Sequence, residues 1–284
     1  MKISLLSRDE IDRSKWNSCV HYANNGNVFG YKWYLDAISK DWEALVEEGY
    51  GSVFPLIWKK NWLGSKKICL PELIPEGGIY SEGILSSGRI RHFIEAIPKK
   101  YRSFTISLSG QAKIPKDLGL QIEKQANTQL SLNQSYEGLK NGFSPEFSDK
   151  LVDAETLKLQ PVSNLKPEVV ADFYRKNSLY YNKKNYFAYL RIMYNCLHRG
   201  WGFSTGITDA KGNLLAVSFF IYSHGKIVNF LPVVSATGQK AGAMPLLLNL
   251  VLQTHSGKPV ILDFNGFPDQ GIGAQEQFYY HISR

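Results

Sequence analysis

Apolar and polar positions switch between two periods along the chain, and the switches occur in the same order twice. In the first half, "WEALVEEGYGSVFPLIWK" (42–59) reads as two strands joined at Gly49-Tyr50-Gly51. A helix follows over 88–101, then "RSFTISLS" (102–109), whose strict alternation predicts a half-buried strand. In the second half, 202–223 reads as a hairpin turning at Lys211-Gly212-Asn213, and 226–235 as a third strand. A short loop with glycines at 238 and 242 then opens a nearly all-apolar helix, "AMPLLLNLVL", and 259–266 reads as a closing strand. Two more helices are expected over 167–178 and 183–199. In the latter, Tyr186, Leu190, Met193 and Leu197 fall at helical spacing and read as a stripe facing the core.

A helix between two strands favours a parallel pair, because the crossover must return the chain to the same end of the sheet. Each half therefore predicts an antiparallel meander feeding a βαβ element, a mixed α/β fold built in tandem. The polar, loop-rich stretch 133–168, broken at Asn141-Gly142 and Ser144-Pro145, places the boundary near residue 150. The expected domains are 1–150 and 151–284.

Composition narrows the class. The 284 residues are 44% hydrophobic and 20% charged, ordinary values for a globular protein. Cys19, Cys69 and Cys196 lie far apart, which suggests neither a disulfide framework nor a zinc site and fits a reducing compartment. The N-terminus turns charged too early for a signal peptide, and no apolar run is long enough to span a bilayer, so a cytoplasmic location is expected. The net charge of +8 fits either an anionic partner or plain solubility. The basic residues are dispersed, as in "WKKNWLGSKK" (58–67), "PKKYR" (98–102) and "YNKKNY" (181–186).

The chemistry is concentrated in one place. There is no Walker phosphate loop, HExxH or GxSxG, and the six histidines never pair at ligand spacing, so no metal site is expected. What remains is "VVSATGQKAGAMPLLLNLVLQ" (233–253), which contains no acidic residue. The first turn of a helix carries amides without intrahelical partners and partial positive charge. Gly242 would let an anion approach the backbone, Gln239 and Lys240 add donors, and Pro245 sits where a missing N–H costs little. A plain strand-to-helix turn that uses glycine for backbone freedom fits these residues equally well.

"GQKAGA" after a strand and before a helix resembles the pyrophosphate-binding loop of GNAT-superfamily N-acyltransferases, usually Q/R-x-x-G-x-G/A. Gln239 and Gly242 match; the last small position is Met244, with Ala243 one residue early. Nearly the whole chain resembles tandem-GNAT proteins related to the FemABX aminoacyl transferases, particularly the Bacteroidetes type. The stretches that carry this resemblance are 27–60, 127–147, 214–253 and "ILDFNG" (261–266). Three departures stand out. Phe267 replaces the serine of the usual DFxGS, and the segment after "PEFS" is not basic. The chain also stops soon after "EQFYYHISR", which implies that the family's final strand is missing or trimmed.

The resemblance implies an N-acyltransferase in which an amine attacks the thioester of acyl-coenzyme A directly in a ternary complex. Gln239, Lys240, Ala241, Gly242 and Ala243 would hold the coenzyme. Asp263 is the candidate base and Tyr279 the candidate acid for the leaving thiolate. Glu76, Gly77, Gly78 and Asn265 are the candidate acceptor-binding residues. Asp263 reads equally as a carboxylate satisfied by backbone amides, Asn265 as a turn residue, and Tyr279 as an aromatic packed on the sheet. The acceptor would be a small-molecule or peptide amine. One alternative is a FemABX-type transfer from aminoacyl-tRNA, which accounts for the positive charge and makes tRNA a partner. Another is a degenerate GNAT fold that binds a ligand or partner without catalysis.

Overall fold

The computed structural model describes residues 2–62 and 64–284. By backbone proximity the chain divides into two compact units. One comprises Met1–Ala126 with Gln277–Arg284, the other Asn127–Glu276.

The first unit runs β1 (Ile3–Ser7), α1 (Arg13–Tyr22), α2 (Lys32–Ile38), β2 (Trp42–Glu47), β3 (Ser52–Lys60), β4 (Lys66–Ile68), β5 (Tyr80–Ser81), α3 (Ser87–Glu95) and β6 (Tyr101–Ser109). Strands β1 to β4 pair antiparallel in chain order, and β4 pairs parallel with β6 across the α3 crossover. One face of α3 buries Ile90, Phe93 and Ile94 against Phe54, Phe104 and Ile106.

The second unit begins within β7 (Gln121–Ser131) and continues α4 (Tyr136–Lys140), α5 (Pro145–Thr156), β8 (Gln160–Ser163), α6 (Pro167–Asn177), α7 (Tyr186–His198), β9 (Gly202–Thr208) and β10 (Leu214–Ser223). It then runs β11 (Lys226–Asn229), β12 (Val233–Val234), α8 (Ala236–Lys240), α9 (Ala243–His255) and β13 (Ile261–Asp263), and β14 (Gln275–Ser283) follows. Strands β8 to β11 form the antiparallel meander, and β11 pairs parallel with β13 across the α9 crossover. Helix α9 is apolar almost all round because it is buried almost all round: Leu247, Leu248, Val251 and Leu252 pack on Phe220, Ile227, Leu262 and Phe264. The mixed α/β tandem arrangement expected from the sequence is present.

Four readings change. The division falls between Ala126 and Asn127, not near 150, because Phe147 and Ala154 of α5 and Leu139 of α4 belong to the α9 core. The stretch 275–283, for which the sequence predicted no element, is a strand: β14 pairs antiparallel with β6 in the first unit, while Gln129–Ser131 of β7 pairs with β13 in the second. In α7 the buried side is Tyr189, Ile192, Met193 and Cys196, whereas Leu197 is 39% exposed, so the stripe is rotated from the expected one and only Met193 is shared with it. The loop before α9 contains a helical turn, α8, which Ser235 caps by accepting from the Gly238 amide at 3.0 Å.

Candidate functional site

The parallel pairing of β11 and β13 ends at Val228 and Asp263. Beyond it the chain after β11 turns through Phe230–Pro232 and rejoins the sheet as β12, paired to β10. Asn229, Pro232 and Val233, just past that separation, line a cavity of about 860 Å3. That is the size range of a small-molecule or cofactor site. The N-terminal turns of α9 and α5 also line it, through Met244 and Pro245 on one and Glu146 and Lys150 on the other, together with residues of segments 177–180 and 267–271.

Gly242 is the N-cap of α9, left-handed at φ 71°, and no side chain caps the helix. The first intrahelical bond is Leu246 N–H to the Gly242 carbonyl at 3.1 Å, so the Ala243 and Met244 amides lack an intrahelical acceptor. Pro245 has no N–H to satisfy. The helix end thus carries its partial positive charge at a place the cavity reaches. Lys240 and Gln239 lie on the cavity lining, and Lys240 forms no ion pair among the described residues. Lys150 is also on the lining, tied to Asp153 at 2.9 Å. Sequence spacing did not reveal Lys150, Glu146, Tyr180 or Phe267 as neighbours of this loop. The Ser144-Pro145-Glu146 start of α5 was the available signal, a capping serine followed by proline at the first helical position. The acid-free character of 233–253 is offset by Glu146, which α5 brings to the cavity.

The structure separates the sequence-derived residues. The amides of Gln239 and Ala241 are already committed, to the Ser235 carbonyl at 2.8 Å and the Thr237 carbonyl at 3.1 Å. The side chains of Ala241 and Ala243 are in the core. Gly242 is glycine for two local reasons: its positive φ, and the Lys150 carbonyl oxygen, which would lie 2.2 Å from a Cβ there.

Asp263 is buried and accepts four hydrogen bonds. Asn127 Nδ2 (2.9 Å) and the Asn265 amide (2.8 Å) donate to Oδ1; Gln129 Nε2 (2.7 Å) and Lys226 Nζ (3.4 Å) donate to Oδ2. These four donors, one of them the Lys226 ammonium, hold the carboxylate in place, and it ties β7, β11 and β13 together. Asn265 occupies the left-handed region at φ 55° and forms the turn leaving β13.

Tyr279, Glu76, Gly77 and Gly78 all belong to the first unit. Tyr279 is buried on β14 opposite Ser109 of β6, with its ring 5.5 Å from that of His281. Gly77 and Gly78 line a void of about 30 Å3, room for a single water. A Cβ on Gly78, at φ 113°, would come within 2.3 Å of the Ser107 carbonyl oxygen, so glycine is required there by packing. The Glu76 carbonyl accepts from Asn27 Nδ2 at 3.4 Å.

Two meanders, each leading through a crossover helix into a parallel pair, define a tandem GNAT fold of the FemX type, and comparison with solved structures supports this. The chain is similar to FemX at 11% identity and a TM-score of 0.67, covering 99% of this chain and 97% of that one. It is similar to a tandem GNAT protein from the clavulanic acid biosynthesis pathway at 12% identity and a TM-score of 0.58, covering 100% and 98%. It is also similar to L-PGS from Bacillus licheniformis at 13% identity and a TM-score of 0.60, covering 96% and 92%. No protein-family model matches the sequence, and no curated protein matches it. At these identities the likeness is one of fold.

Proposed function

We propose that the chain is an N-acyltransferase that binds acyl-coenzyme A in the cavity of the second unit and transfers the acyl group to an amine. The observation that carries this reading is where the cavity lies. It sits at the separation of β11 from β13 and reaches an uncapped α9 N-terminus beside Lys240. Phosphates would sit near the Ala243 and Met244 amides, with Lys240 and Gln239 supplying side-chain donors. The amine nitrogen would attack the thioester carbonyl carbon, the C–S bond would break, and the nitrogen would lose one proton as the departing thiolate gains one, giving the amide and the free thiol. The protein's share of such a reaction is orientation and charge stabilisation.

Asp263 enters this proposal as a positioning residue, because its lone pairs are already engaged and it holds the ends of the strands beside the cavity. A turnover assay that follows free thiol, with a panel of acyl-coenzyme A donors and amines, tests the reaction. Thiol release that requires both substrates supports it. Absence of turnover with measurable donor binding would leave a ligand-binding GNAT fold.

A second reading, with aminoacyl-tRNA as donor, is supported by the similarity to FemX and the net charge of +8. It requires tRNA binding that weakens steeply as salt rises.

A further inference from the structure

Between Asp172 and Asp209 the sequence contains no acidic residue, while Arg175, Lys176, Lys183, Lys184, Arg191 and Arg199 fall inside that span. Its middle carries the most exposed apolar side chains of the second unit. Leu179 is 99% exposed, Tyr180 75% and Phe187 68%. Scattered apolar residues on a surface need no explanation, but three within nine residues, with Lys183 and Lys184 among them, concentrate exposed apolar and basic side chains in one short segment. The side chains of both lysines are exposed and form no ion pair among the described residues.

The segment is held in place. Tyr181 packs its ring 6.4 Å from Tyr174 and 6.4 Å from Tyr189, and the Tyr180 amide donates to Ser178 Oγ at 3.1 Å. Asp172, the nearest carboxylate on the packed helix α6, is taken up by Arg175 at 3.1 Å and by the Tyr186 hydroxyl at 3.1 Å. Glu168, one turn earlier, accepts from the Tyr194 hydroxyl at 2.6 Å. Lys183 and Lys184 also sit just before the N-terminus of α7, whose first turn has no acid, so side chains and helix end add positive potential of one sign.

We propose that Leu179, Tyr180 and Phe187, with Lys183 and Lys184, form a docking surface for an anionic lipid bilayer. Apolar side chains at the interfacial level, flanked by lysines that meet anionic headgroups, are the chemistry of peripheral membrane attachment. The alternative polyanion is single-stranded nucleic acid, which would use aromatic faces for stacking. Leu179, the most exposed of the three, offers a base no face to stack on, and it favours an acyl boundary. Leu179 and Tyr180 also line the large cavity, so the same surface would turn the cavity opening toward the membrane. The proposal stands apart from the acyl-transfer reading, since it concerns where the chain binds and not what it catalyses.

The test is co-sedimentation of the full chain with phosphatidylcholine vesicles and with vesicles containing phosphatidylglycerol. Expected is pelleting with the anionic vesicles only, weakening as salt rises. Lys183→Ala with Lys184→Ala lowers the partition coefficient by about thirtyfold, and Leu179→Ser with Phe187→Ser by about tenfold. All four residues are exposed, so both double variants keep the wild-type melting temperature. No pelleting, or equal pelleting with phosphatidylcholine alone, overturns the proposal. So does binding that survives both double variants but is lost on Trp62→Ser, a residue 90% exposed in the first unit. Binding of single-stranded RNA that both double variants abolish, without vesicle binding, assigns the patch to nucleic acid and equally overturns it.

Discussion

Gly242 and the Lys150 carbonyl oxygen are packed so closely that a Cβ on the glycine would lie 2.2 Å from that oxygen. The backbone there is also left-handed, with φ 71°. Both facts oppose any side chain, and the opposing atom is main chain inside α5, which cannot swing away. Gly242→Ala is expected to destabilise the protein by about 2–4 kcal/mol, combining the left-handed penalty with overpacking. Urea unfolding of wild type and variant measures it. The variant also shows why substitution at Gly242 is a poor probe of ligand binding, because the fold fails alongside the site.

Asp263 separates a catalytic from a structural carboxylate. Asp263→Ala would strand Lys226 and the amides of Asn127 and Gln129, costing about 3–5 kcal/mol. Asp263→Asn keeps the shape but loses the charge that faces Lys226, with a smaller loss in the same urea assay. If turnover is found, Asp263→Asn should retain measurable kcat with little change in its pH profile. A base in the reaction would instead lose kcat by orders of magnitude with the fold intact.

Acid should weaken the fold through two histidines. Burial lowers the pKa of His255, with the nearby Lys258 adding to the shift, and burial likewise lowers His281. His281 Nε2 is buried without a hydrogen-bond partner among the described residues. Lowered folded values mean that the unfolded chain binds more protons just below the ordinary histidine value of 6.5. Stability should therefore fall as pH drops through that value and level off below the folded pKa values. Melting temperatures across this range should show the slope, and His281→Gln should make it shallower.

Tyr180 and Phe267 meet edge to face across the cavity lining, with ring centroids 6.1 Å apart. Under the acyl-transfer proposal Tyr180→Ala opens that side of the cavity and raises KM for the acyl donor more than it lowers kcat. The exposed position of Tyr180 predicts a change in stability within about 0.5 kcal/mol. Steady-state kinetics with varied donor, beside a melt, checks both.

The repeated order of meander, crossover helix and strand was legible because its strands alternate cleanly and α9 is continuously apolar. Gly242 was also legible, as a glycine at a helix mouth, but half its reason was hidden: the partner that demands glycine is Lys150, 92 positions earlier. The α5 segment looked like a linker because only Phe147 and Ala154 of its twelve residues are fully buried. Strand β7, "QIEKQANTQLS", was missed because little of it is apolar, and its value lies in placing Asn127 and Gln129 on Asp263. The α7 stripe was misplaced by rotation, since apolar residues occupy both Tyr186–Leu190–Met193–Leu197 and Tyr189–Ile192–Met193–Cys196, and periodicity cannot choose between the two faces.

Calorimetric titration with acetyl-coenzyme A and with coenzyme A, on wild type and on Lys240→Glu, bears most directly on the proposed site. Lys240 is exposed and forms no ion pair among the described residues, so its reversal should leave the melting temperature unchanged. Wild type is expected to bind both ligands saturably, with binding weakened by about tenfold or more in the variant as one phosphate contact turns repulsive. Absence of binding to wild type, or equal affinity in both proteins, would rule out an acyl-coenzyme A site at Lys240.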